Sequence, residues 1–212
     1  LIGFAATFGT SVLLSAASQA LMPKPKVTPT LGPTLQLKPQ TVSVREPVMP
    51  RDLVYGRTRK GGTIVFLHES GPSDQYLHMV IVLAAHRVQS IGAVYFDGEQ
   101  AISASGTPLG RWAGHVTVDK KLGHPGQTAF AGLMRDVSEH WTSAHRLEGC
   151  AALYLRLSYD RDVFPGGIPS ISADMTGKDD ILDPRTGLRG YSENAALCVA
   201  DYMAHPVFGL GA

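Results

Sequence analysis

Residues 45–99 constrain this chain more than any other stretch. They read REPVMPRDLVYGRTRKGGTIVFLHESG, then, after Pro72-Ser73-Asp74-Gln75, YLHMVIVLAAHRVQSIGAVYFDGE. Three apolar runs are separated by turn residues, and no group of catalytic side chains gathers among them. Runs this short, bounded by Gly, Pro and Asp, build strands rather than helices. Such a segment makes sheet and presents surface.

The individual strands follow from the same pattern. Residues 53–57 read as a short strand that Gly61-Gly62 turns into a second over 63–69. Residues 76–84 are almost continuously apolar, as a strand covered on both faces must be. Residues 90–96 run into Asp97-Gly98, a two-residue hairpin signal. Residues 115–119 alternate apolar and polar side chains. Between Pro125 and His140 the period changes, and Phe130, Leu133, Met134 and Val137 share one helical face. Alternation returns at Ala151, Leu153, Leu155, Leu157 and Tyr159, and again at Ile171, Ala173 and Met175. A final helix opens at Ser192 as N-cap, is expected to turn Ala195, Ala196, Val199 and Met203 inward, and is stopped by Pro206. The expected body is α+β, mainly antiparallel β, with two short helices.

Ahead of this body, residues 1–22 contain no charged side chain. Three readings stand: a helix packed against partner subunits, a membrane-active segment diluted by Gly, Ser and Thr, and a signal peptide with Ser18-Gln19-Ala20 as cleavage site. Residues 23–50 hold seven prolines among Thr, Val, Leu and Lys, which makes an extended arm. The expected organisation is an apolar helix over 1–22, the arm over 23–50 and a β-rich body over 51–205. That body divides into two intertwined subdomains of about 51–124 and 125–205. Residues 206–212 start a truncated continuation.

A net charge of +1 provides no global field for nucleic acid or anionic membrane. Arg57, Arg59 and Lys60 are read as a solvated turn. Cys150 and Cys198 sit in apolar surroundings and are expected as buried free thiols, a disulfide being the other option. Gly177-Lys178 is followed by Asp179 and lacks the upstream glycine of a phosphate loop. His68-Glu69-Ser70 are strand neighbours that point to opposite faces, so they form no relay by themselves. His140 with His145, and His78 with His86, have no metal-ligand spacing. Asp160, Asp162, Asp179, Asp180 and Asp183 are the dense carboxylates, and Asp183-Pro184-Arg185-Thr186-Gly187 reads as a turn. No catalytic, cofactor-binding or metal-binding residue is therefore assigned, and no enzyme activity is expected.

Two blocks carry a resemblance to a known family. One runs from Arg45-Glu46-Pro47 through the quoted stretch to Glu99. The other is PGGIPSISADMTGKDDILDPRTGLRGYSENAALCVADYM, from Pro165 to Met203. Together they resemble the hub region of tail-tip (host-specificity) proteins of long-tailed bacteriophages, of the lambda-like and gene-transfer-agent-like kind. The resemblance implies barrel-like hub domains in a homotrimer closing the tail tube at the virion tail tip. It implies the distal tail protein, other tail-tip proteins and the end of the tape-measure protein as partners, with roles in host attachment and genome ejection. It implies no cofactor and no sequence-specific nucleic acid binding, and leaves membrane contact by residues 1–22 open. Two rival readings are a membrane-anchored or exported β-domain, and a glycan- or peptidoglycan-cleaving enzyme using Asp160, Asp162 or Glu69.

Overall fold

The computed structural model describes residues 51–211. The expected apolar helix over 1–22 and the arm over 23–50 lie outside the described residues. The body is mostly antiparallel β-sheet with two short α-helices, as its alternating runs predict.

The chain forms β1 (Arg57–Lys60), β2 (Thr63–Ser70), β3 (Tyr76–Ala84), β4 (Val88–Phe96), β5 (Glu99–Ile102) and β6 (Val116–Leu122). Helix α1 (Ala131–Asp136) precedes β7 (Ala151–Ser158) and β8 (Ile171–Lys178). A small hairpin, β9 (Ile181–Asp183) with β10 (Leu188–Gly190), leads to helix α2 (Ala195–Ala204). One four-stranded sheet has the order β2-β3-β7-β6, and the other β1-β8-β4-β5. Strands from before and after residue 124 thus pair in both sheets.

Alternation decides what each face holds. Met79, Ile81 and Leu83 of β3, with Leu153, Leu155 and Leu157 of β7, join Ile91, Val94 and Phe96 of β4 and Ala173 and Met175 of β8 in one apolar core. The intervening residues Val80, Ala152 and Tyr154 face a second core under Phe130, Leu133, Val137 and Trp141. The expectation that β3 is covered on both faces is met in this way. Between β1 and β2 the chain passes from one sheet to the other at Gly61-Gly62. A Cβ on Gly62 would collide with the Val82 carbonyl oxygen, so no larger residue fits that corner. Asp97 and Gly98, with φ of 50° and 87°, make the two-residue turn between Phe96 and Glu99.

Several local expectations are corrected. The strand expected over 53–57 begins only at Arg57, because Gly56 takes a φ of +66° that interrupts extension. Val54 and Gly56 nevertheless accept backbone hydrogen bonds from Lys178 and Gly177. The helical period over 125–140 yields only six helical residues, although Phe130, Leu133 and Val137 are buried as that face requires. Helix α2 is capped by Asn194, whose side chain accepts from the Ala196 and Leu197 amides; Ser192 Oγ accepts from the Asn194 amide one step earlier. Its Ala195, Ala196, Val199 and Met203 are exposed, and Leu197, Cys198 and Asp201 are the more covered residues. The free thiols Cys150 and Cys198 are half-buried, and burial raises both above the ordinary cysteine value.

Leu133 has no exposed surface and sits at the centre of the second core. Truncation by Leu133→Ala is expected to cost about 3 kcal/mol through lost burial and a residual cavity. Urea titration of both proteins checks this; a loss below about 1 kcal/mol would show that the outer layer contributes little.

Candidate functional site

The polar groups of this body fall into a few clusters, and each is built by pairing across distant parts of the chain. At the end of β8, Lys178 is buried, with its Nζ 2.7 and 2.8 Å from the two carboxylate oxygens of Asp201 on α2 and 3.1 Å from Asp180 Oδ1. Tyr55 donates to the same Asp201 carboxylate at 2.7 Å. Burial, then the Asp201 carboxylate, pushes the Tyr55 phenol well above its ordinary value. The neighbouring His86 accepts the Val54 amide through Nε2 at 2.7 Å and holds the Arg87 carbonyl through Nδ1. Asp201 thereby fixes which face of α2 turns inward.

A second cluster crosses the outer face of the first sheet. Ser70 Oγ lies 2.7 Å from His78 Nε2, and His78 Nδ1 lies 2.9 Å from the Tyr154 hydroxyl. The connectivity is that of a nucleophile, a base and an orienting group. Its electrostatics are not. Burial lowers the His78 pKa, disfavouring the imidazolium, and raises that of Tyr154 to about 12, so the third member carries no charge at neutral pH. His78 has no exposed surface. The arrangement is a satisfied buried polar chain that ties β2, β3 and β7 together.

Lys120 makes a third tie. From edge strand β6 its Nζ reaches the carbonyl oxygens of Ile91, Gly92 and Ala104 at 3.2, 2.5 and 3.1 Å. Ile91 and Gly92 lie where the β4–β8 register shifts, so the ammonium satisfies carbonyls at an interrupted ladder. Burial lowers the Lys120 pKa. On the outer face of the other sheet, Arg59 stacks 3.4 Å over the Tyr95 ring and pairs with Asp174, which also accepts from the Tyr95 hydroxyl.

The residues singled out in the sequence are dispersed among these roles. Ser70 meets His78 across the ladder, whereas Glu69 is exposed. The paired histidines separate: His78 joins Tyr154, His86 joins Val54, His140 packs edge-on against His68, and His145 accepts the Thr142 amide. Asp160 caps the turn at Asp162 and Val163, and Asp183 accepts the Arg185 amide in its own turn. Asp179 pairs with Arg87 at 2.6 Å. Among the described residues no three His, Cys, Asp or Glu side chains converge as a metal site would need. Sequence reading missed the His78–Tyr154 link; its signal was a polar ring inside each of two apolar strands.

The surface has a different character. Val199, Tyr202 and Met203 of α2, with Val207 and Leu210 beyond it, are large apolar side chains open to solvent, as are Tyr159, Ile168 and Leu188. A cleft of about 250 Å³ lies between Leu77, Leu157, Phe164 and Ile168, with Glu69 and Asp74 on its rim. No helix among the described residues is long and apolar enough to cross a membrane.

No protein-family model matches the chain, and no curated protein matches it. The solved structures it resembles include a chain of the virion of a native gene transfer agent (GTA) particle, at a TM-score of 0.43 and 14% identity. The match covers 65% of this chain and 29% of that one, so this chain spans less than a third of that protein's length.

Removing Asp201 leaves the Lys178 ammonium buried without its main partner. Asp201→Ala is expected to cost on the order of 3 kcal/mol, more than the apolar pair Lys178→Met/Asp201→Leu. Urea titration decides this; equal stability of all three proteins would discount the ion pair. The histidines set a pH window. His78 and His86 have folded pKa values below the ordinary 6.5. The unfolded chain therefore binds their protons more readily, so stability is intact above about pH 6.5 and declines as the pH falls below it. Urea midpoints between pH 7.5 and 5 check this, and a flat profile would contradict it.

Proposed function

We propose that this chain is a structural virion component, a hub-proximal part of a tail-tip protein that closes a tail tube and joins it to neighbouring tail proteins. The observation that carries the reading is where the two family-like blocks fall in the fold. The block ending at Glu99 supplies β1 and β4, and the block from Pro165 to Met203 supplies β8. Strand β8 pairs with β1 on one side and β4 on the other, so segments far apart in sequence form one continuous ladder. A resemblance carried by segments that fold against each other has a single structural unit beneath it.

The distribution of chemistry supports the same reading. The buried polar clusters hold strands and helices together, and the open surface is rich in large apolar side chains. Such a surface suits contact with other proteins better than turnover of a small molecule. Homotrimer formation, location at the tail tip, and partnership with the distal tail protein and the tape-measure end belong to this proposal. So does the hub role in host attachment and genome ejection.

The first test is the mass of the full chain in solution. Multi-angle light scattering is expected to give three times the 22.6 kDa chain mass. A monomer at tens of micromolar concentration would overturn the hub reading. Imaging of particles carrying a labelled chain would then locate it; label elsewhere than the tail tip would count against the assignment.

A further inference from the structure

We infer that the cleft beside Leu77 is a docking pocket for an arginine side chain of a different protein, presented between apolar neighbours. The inference deepens the assembly reading, on which it rests for the ligand being part of a protein. The cleft follows from the strand register. Glu69 of β2 lies opposite Leu77 of β3, and Leu77 lies opposite Leu157 of β7. Residues directly opposite share one face of the sheet, so a carboxylate ends an apolar row that leads into the inner core. The loop after β7 lines the cleft as well: Phe164 is buried, whereas Ile168 and Tyr159 are 51% and 71% exposed. Asp74, in the turn between β2 and β3, completes the opening.

Size and charge select the occupant. At about 250 Å³ the cleft falls below the range of about 300–1,000 Å³ typical of drug-sized ligands, and one long side chain suits it. Its charged groups are both carboxylates, and no Lys, Arg or His lines it. Neither Glu69 nor Asp74 is ion-paired among the described residues, whereas Asp136, Asp174, Asp179 and Asp201 each have a cationic partner. A side chain that lays methylenes on leucine and carries a positive charge at its tip matches both features. Arginine fits better than lysine, because its planar fork meets two carboxylates and is more weakly hydrated.

The arginines of this chain are poor candidates, in its own fold or from a second copy. Every described arginine except Arg51, Arg161 and Arg189 is in an ion pair. Arg189 donates to the Asp180 carbonyl. Arg51 adjoins Asp52, and Arg161 stands between Asp160 and Asp162. Ahead of the body, Arg45 is followed by Glu46. Each of these three would bring an acidic neighbour toward Glu69 and Asp74, a like-charge contact that disfavours docking. An arginine flanked by apolar residues has no such penalty, and it comes from another protein.

Two peptides test this on the full chain: acetyl-Leu-Arg-Leu-amide, and the same peptide with citrulline, which keeps the shape and removes the charge. Methyl resonances of Leu77, Leu157 and Ile168 report binding. The arginine peptide is expected to bind about fivefold more tightly than the citrulline peptide, as two exposed ion pairs allow, and added salt should narrow the gap. Glu69→Gln/Asp74→Asn changes two exposed residues; it should abolish the preference and keep the citrulline affinity, with unchanged circular dichroism. Equal binding of both peptides by the wild type, or methyls that respond to neither, overturns the inference. Methyls that ignore the peptides but move in Arg45→Gln mean that the chain's own arm fills the cleft, which overturns the partner occupant. Butylguanidinium binding as tightly as the arginine peptide overturns the protein occupant in favour of a free cation. Chain mass reads the assembly separately. A trimer without the preference removes the pocket and leaves the hub reading, and a monomer that keeps the preference does the reverse.

Discussion

The antiparallel pairing of β3 with β7 is the constraint on which the rest of this body depends. Met79 lies opposite Leu155, Ile81 opposite Leu153, and Leu77 opposite Leu157, so one face of the pair fills the space between the sheets. The other face, through Val80, Ala152 and Tyr154, receives Phe130, Leu133 and Trp141. A one-residue slip of β7 against β3 would turn Ala152 and Tyr154 toward the inner core and Leu153, Leu155 and Leu157 away from it. The Ser70–His78–Tyr154 chain works against such a slip. Its hydrogen bonds can form only when these three residues share the outer face.

Polar groups in this molecule act as fasteners at places where burial alone would be weak. Helix α2 has no fully buried residue, so the ion pair between Lys178 and Asp201, with Tyr55 beside it, holds it to the sheet. Where the ladder between β4 and β8 is interrupted, Lys120 crosses from the other sheet to the exposed carbonyls. Buried charge of this kind gives specificity more than net stability, because desolvation offsets much of the attraction. The groups of these clusters are engaged with one another, and burial lowers the His78 pKa and raises that of Tyr154.

What the fasteners leave over is surface. The outer face of α2 and the residues after it expose large apolar side chains, and the outer edge of β2 has no backbone partner among the described residues. Among the described residues, β1 and β5 are short, β6 carries Asp119, Lys120 and Lys121, and β2 carries Glu69 and a register shift at Val65.

Much of this was legible in the residues. The two-faced burial of β3 follows from its unbroken apolar run, the tight turn from Asp97-Gly98, and the closure of the small hairpin from Asp183 through Gly187. The inward face of α2 was misread. Its apolar residues pointed one way, whereas Asp201 is drawn inward by a lysine 23 residues earlier. Likewise Ser70 was weighed against His68 and Glu69, its neighbours in sequence, and its partner is His78 across the strand pair. Periodicity and turn chemistry are local properties, set within a few bonds of each residue, so the chain by itself determined its strands, turns and the α+β class. Which strands adjoin and which polar groups meet depend on contacts between residues far apart in sequence, and only the tertiary structure decided them.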